Sequence, residues 1–101
     1  MTQITLEEVT NEVRVEFHIP PFFIDDDLKR LVNQSDAYLS MLVDGINYDS
    51  DLVARDLLKY RVYYAYNGKI NQFDTDFAHN ILTWQFSKIN GVTNDDTSDV
   101  Q

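Results

Sequence analysis

Three groups of residues in this chain are of types that could do chemistry. The first is acidic: Asp25-Asp26-Asp27, the pair Asp49/Asp51 and the pair Asp74/Asp76. Clustered carboxylates are the ligands that Ca²⁺ and Mg²⁺ prefer. The triplet, however, lacks the twelve-residue loop with a central glycine and a terminal glutamate. All three groups also stand where a helix must begin, so capping and the helix dipole account for them. The second group is Asp76 and His79, three apart on one helical face, which with His18 could supply part of a metal site. A surface pair or a hydrogen-bonded histidine uses the same residues. The third group is basic: Arg55, Lys59 and Arg61. Asp51 lies four residues before Arg55 and Asp56 three before Lys59, which predicts a salt-bridged, solvated face. The same stripe could instead meet an acidic surface on a neighbouring copy.

No nucleophile, base and oxyanion donor come together as a set. There is no cysteine and no glycine loop to cradle phosphate. The expectation is a protein without enzymatic activity, cofactor or resident metal.

The most informative stretch is Tyr60-Arg61-Val62-Tyr63-Tyr64-Ala65-Tyr66. Successive helical positions are about 100° apart, so these four tyrosines cannot all enter one small core. Either they line a core with their hydroxyls reaching water, or they form an assembly interface, where Tyr and Arg are enriched. The expected contact surface is therefore Tyr60, Tyr63, Tyr64 and Tyr66 with Arg55, Lys59 and Arg61.

The elements that must position these groups read as helices. Thr5-Leu6-Glu7-Glu8 has the form of a capping box, and Leu6, Val9 and Val13 follow at helical spacing. The alternation Val13, Val15, Phe17 also permits a short extended stretch toward His18. Pro20 and Pro21 end regular structure. Leu28, Leu31, Val32, Ser35, Leu39 and Leu42 mark one face of a second helix over 26–43, capped by Asp25 or Asp26 and ended near Gly45. Asp49-Ser50-Asp51 opens a third helix, Leu52 to Tyr66, which Asn67-Gly68 closes. A fourth starts at Asp74 or Thr75, with Phe77, Ile81, Leu82, Trp84, Phe86 and Ile89 as anchors, and ends at Asn90-Gly91.

The predicted fold is thus all-α: a bundle of about four helices in residues 1–90, with short loops. Residues 91–101 read as a flexible, disordered acidic tail.

Length and charge narrow the partners. The 101 residues carry 17 acids against 8 bases, a formal net charge of −9. Of this, −6 falls in residues 1–90 and −3 in the tail, at Asp95, Asp96 and Asp99. A free-standing nucleic-acid binder would carry a basic field instead. The longest apolar run, Ile19 to Ile24, is far short of the roughly 20 residues that span a bilayer. No secretory h-region occurs near the start, and a soluble cytosolic protein is expected.

The order of motifs resembles the head–tail connector family of tailed phages. The residues that carry it are Asp26-Asp27-Leu28-Lys29-Arg30-Leu31-Val32 and Tyr38-Leu39, then Asp51-Leu52-Val53-Ala54-Arg55-Asp56-Leu57-Leu58. The aromatic run Tyr63-Tyr64-Ala65-Tyr66 with Asn67-Gly68, then Phe73 and Phe77, completes the pattern over most of residues 5–90. The chain departs from it in its acidic tail and in lacking an arginine after the third helix.

The resemblance implies a small helical head-completion or adaptor protein, made in the host cytoplasm and placed in the virion neck. It implies a monomer in isolation that forms a homo-oligomeric ring on the portal protein after DNA packaging. A further neck or tail-completion protein would dock on that ring, and double-stranded DNA would pass through without specific binding. Two rival readings compete: an acidic DNA-mimic or regulatory protein that occupies a nucleic-acid enzyme, and a small metal-dependent enzyme using Asp76, His79 and His18.

Overall fold

A computed structural model of the chain describes residues 1–90, so the expected acidic tail lies outside the described residues. Five helices follow in order: α1 (Gln3–Glu16), α2 (Asp25–Leu42), α3 (Leu52–Tyr66), α4 (Ile70–Asp76) and α5 (Ala78–Asn90). The all-α expectation holds, with five helices in place of about four. Helices α1, α2 and α3 pack mutually, and α4 and α5 close over α3. No helix among the described residues is long and apolar enough to cross a membrane.

Helix α2 follows its sequence pattern. Leu28, Val32, Ser35 and Leu39 are fully buried at four- and three-residue spacing. Burying a leucine or valine of this kind contributes about 1.5–3 kcal/mol. The cap differs from expectation: Ile24 is the N-cap and provides no side-chain hydrogen bond. Asp25, Asp26 and Asp27 form the first turn instead, where their charge meets the positive end of the dipole.

Helix α3 begins as predicted, with the Asp51 carboxylate accepting from the Ala54 N–H. It ends in a Schellman motif: Gly68, at φ 70, donates to the Ala65 carbonyl, and Lys69 donates to that of Tyr64.

Three other expectations are corrected. Helix α1 is capped by Thr2, whose hydroxyl accepts from the Thr5 N–H, so Thr5 lies inside the helix and is buried. The helix runs through Val13 and Val15 to Glu16 with no extended stretch. It stops where His18 takes a left-handed backbone, φ 55, and Ile19 donates back to the Arg14 carbonyl. The predicted fourth helix is two helices, α4 and α5, divided at Phe77. Its ring stacks on Phe73 and meets Tyr60 and Tyr64, with centroids 4.7–5.7 Å away. Of the six expected anchors, Ile81 and Trp84 are buried and Phe77 is partly buried, whereas Leu82, Phe86 and Ile89 are 63–79% exposed.

One position in the core is not matched to its surroundings. The Ser35 hydroxyl is buried on α2 without a hydrogen-bond partner. An orphaned buried hydroxyl is costly, and alanine is also the better helix former. Ser35→Ala should therefore raise stability by about 1 kcal/mol, or about 4–8 °C in a domain of this size, by thermal circular dichroism. A lowered midpoint would show that the hydroxyl is satisfied.

Candidate functional site

Each candidate contact residue has a defined place, and most face inward. Arg55 and Lys59 project from α3 onto α1, with side chains only 13% and 12% exposed. The Arg55 guanidinium makes a fork with Glu12: Nε donates to Oε1 at 3.1 Å and Nη2 to Oε2 at 2.6 Å. Glu8 and Asp49 lie 3.5 Å from it on either side. Lys59 donates to Glu16 at 3.0 Å and to Glu12 at 3.4 Å.

Glu8, Glu12 and Glu16 recur every four residues on α1, and Arg55 and Lys59 are four apart on α3. The two rows form an interhelical ladder. The predicted Asp51–Arg55 pair does not form, because Asp51 caps α3 and also accepts from Trp84 Nε1 at 3.0 Å and Lys88 at 2.7 Å. The Asp56–Lys59 pair is present but long, at 3.9 Å. The complementary spacing of the glutamates and bases was visible in the sequence. What was missing was the knowledge that α1 lies against α3.

Arg61 leaves this ladder and points the other way. Its guanidinium carbon sits 3.9 Å from the centre of the Tyr38 ring on α2, with Phe73 beyond. Its Nε is buried without a partner. Such a stack contributes about 0.5–2 kcal/mol. Burial holds the Arg61 guanidinium below its ordinary pKa, against the pull of Tyr38 and Asp74.

The tyrosines divide among three neighbours. Tyr63 stacks on Phe17 at 4.3 Å, and Tyr66 meets the edge of Phe23 at 4.9 Å. Tyr64 donates its hydroxyl to Asp76 at 2.7 Å, while Tyr60 touches Phe17 and Phe77 and stays 42% exposed. Tyr60 and Tyr63 thus share Phe17, Tyr60 and Tyr64 share Phe77, and Tyr66 turns to Phe23. They fasten α1, the 17–24 loop and α4 to α3.

The acids at 74 and 76 prove to be tyrosine acceptors, not caps: Tyr38 donates to Asp74 at 2.7 Å, as Tyr64 does to Asp76. Tyr48 is buried and donates to Asp36 at 2.7 Å. Burial, and then Asp36, push its pKa well above the ordinary range.

With Asp76 engaged by Tyr64, and with His18 and His79 both exposed, nothing here assembles the metal reading. Among the described residues no group of three or more His, Cys, Asp or Glu could hold a metal ion.

Large apolar side chains are exposed on each of the five described helices, among them Ile4, Val15, Met41, Leu52 and Val53. Phe22 and Ile24, in the loop between α1 and α2, are 83% and 55% exposed. Leu82, Phe86 and Ile89 make the exposed stripe on α5. No protein-family model, curated protein or solved structure matches this chain.

The ladder sets a pH dependence. Hydrogen bonding from Arg55 holds Glu12 below its ordinary value of 4.5. For Asp51, burial alone would raise the carboxyl, but Lys88, Trp84 and the Ala54 N–H together hold it below 3.8. A depressed carboxylate stabilises the fold above its unfolded pKa, and that stability is lost as pH falls through the folded value. Lys59 shifts the other way: burial would lower it, but Glu16 and Glu12 raise it above 10.5. Its contribution is present below that value and is lost as pH climbs through the raised one.

The unfolding midpoint should hold between these limits and fall below about pH 4 and above about pH 10. Arg55→Met, which leaves Glu12 without its fork, should lower stability by about 2 kcal/mol at pH 7 and flatten the acid limb of that profile. An unchanged acid limb would show that the ladder is not what holds α1 to α3.

Proposed function

We propose that this chain is a structural protein of the phage neck: a head-completion or adaptor protein that assembles as a ring beneath the portal once DNA is packaged. The ring extends the DNA channel and presents the surface on which the next neck or tail component docks. The observation that carries this reading is the contrast between interior and surface. Bases and tyrosines are engaged between helices, whereas many large apolar side chains stand exposed, among them Phe22 and Ile24 in the 17–24 loop and a row on α5. Scattered apolar residues are ordinary on a surface, but a three-residue stripe on one helix face marks a place to be covered.

The resemblance adds support, because its residues occupy working positions in one folding unit. Leu28 and Val32 are core, Asp51 is a cap, and Tyr63, Tyr64 and Phe73 join α3 to its neighbours.

The DNA-mimic reading asks for a free array of carboxylates. Among the described residues, nine of the acids stand within 3.9 Å of a lysine or arginine, and Asp36, Asp74 and Asp76 accept from tyrosines. The surplus negative charge still suits a ring wall beside DNA, since it repels the duplex and lets it slide.

The direct test mixes the pure protein with DNA-filled capsids that carry a portal but no neck, followed by electron microscopy. A ring of added density below the portal is the expected result. No bound density at micromolar protein would sink the reading.

A further inference from the structure

Helix α5 joins the rest of the molecule at two places that differ in kind. One is a pivot. The Phe77 N–H donates to the Phe73 carbonyl and completes α4, while the Phe77 carbonyl accepts from the Ile81 N–H and opens α5, both at 2.9 Å. The two soft backbone torsions of Phe77 lie between those bonds. They stand at φ −110° and ψ 12°, in the sparsely populated bridge region. Turning about them redirects α5 without breaking a bond of either helix. The Phe77 ring stays behind, wedged among Phe73, Tyr60 and Tyr64.

The other place is a latch. At the start of α3, Asp51 Oδ2 accepts from Trp84 Nε1 at 3.0 Å and from Lys88 Nζ at 2.7 Å. Its Oδ1 accepts from the Ala54 N–H and caps α3. Lys88 lies eleven residues beyond Phe77, which is about 16 Å of helix. Between latch and pivot, Gln85 donates to the Leu42 carbonyl at the end of α2, at 3.3 Å. Helix α5 therefore straps the end of α2 to the start of α3.

The apolar hold on this strap is narrow. Ile81 and Trp84 are buried on consecutive turns of one face, whereas Leu82, Phe86 and Ile89 are exposed. Helix α2, by contrast, buries Leu28, Val32 and Leu39 along most of its length. Elements with little buried apolar surface open locally at a lower free energy than the whole domain unfolds.

We propose that α5 is a strap, hinged at Phe77 and latched by the Asp51 carboxylate, that opens as one unit while α1, α2 and α3 stay folded. Opening frees Ile81 and Trp84 and uncovers the junction of α2 and α3. Because the same carboxylate caps α3, the closed strap and the first turn of the central helix support each other. The device belongs to the free chain and does not depend on the neck assignment.

Native-state hydrogen exchange on the full-length chain at pH 7, in low concentrations of denaturant, tests this. Amides of residues 82–88 should share one opening free energy with a shallow denaturant dependence, whereas those of Leu58 and Val62 should exchange only by global unfolding. Asp51→Asn keeps a capping side chain but removes its charge. Lys88→Met, at a side chain 43% exposed, removes the other half of the latch. Each should lower the protection of residues 82–88 about tenfold, the scale of one charge-assisted hydrogen bond. Val32→Ala, a cavity in the α1–α3 core, should lower protection at Leu58 and Val62 by tenfold or more, on the order of a large-to-small core change. It should leave residues 82–88 unchanged, because the open state keeps that core.

If Asp51→Asn does not fold, Lys88→Met carries the test alone. A denaturant slope at residues 82–88 equal to that at Leu58 overturns the proposal. So does protection that declines steadily toward the end of α5, which is fraying, or latch variants that leave residues 82–88 unchanged. A Val32→Ala chain that loses protection equally in α5 and α3 also overturns it.

Discussion

The structure depends on one fifteen-residue helix that must satisfy all four of its neighbours at once. That is the position of α3, against which α1, α2, α4 and α5 all pack. Most of its length is committed, although Leu52 and Val53 at its start stay exposed. Leu57, Leu58 and Val62 enter the core, Arg55 and Lys59 bind α1, Arg61 lies over Tyr38 of α2, and Tyr64 and Tyr60 meet the α4–α5 corner. A central helix must be amphiphilic all round, and bases and tyrosines meet that demand. Both combine an apolar body with a polar tip, so they can cover neighbours while their heads find partners at the margin. The same chemistry makes them common at interfaces between proteins, and here it serves the interface between helices.

Charge plays two parts in this arrangement. Within the molecule it is local and paired: the glutamate row of α1 meets two mostly shielded cations on α3, and Asp51 joins the start of α3 to the end of α5 through Lys88 and Trp84. These pairs are partly shielded from water and accept or donate several bonds, which separates them from the weak solvent-exposed kind. Over the whole molecule charge is a field, negative by a clear margin, that disfavours contact with nucleic acid and repels like-charged copies.

How much of this was legible in the sequence follows from how local each feature is. Helix α2 and the start and end of α3 depend on spacing and caps within a few residues, and they were readable: Leu28 to Leu39, Asp51, Asn67-Gly68. The division of α4 from α5 was not, because α4 has only seven residues and Phe77 interrupts it for the sake of rings on α3. The cap at Thr2 was hidden by a better-looking signature at Thr5. The tyrosines were seen as unable to share one core, which is so. Their partners Phe17, Phe23 and Asp76 come from other elements, and no spacing rule names them. The stripe Leu82–Phe86–Ile89 was read as core for a similar reason. Periodicity marks a face as apolar but does not say whether this chain or another one covers it.

The central claim is that α3 is an internal hub and that the docking surface lies on α5 and the Phe22 loop. Hydroxyl-radical footprinting of the protein, free and bound to portal-bearing capsids, reads that distinction residue by residue. The account predicts that oxidation at Phe22, Leu82 and Ile89 falls on binding, with Tyr63 and Tyr64 unchanged. Protection confined to Tyr60, Tyr63, Tyr64 and Tyr66, with Phe22 and Leu82 still fully labelled, would contradict it.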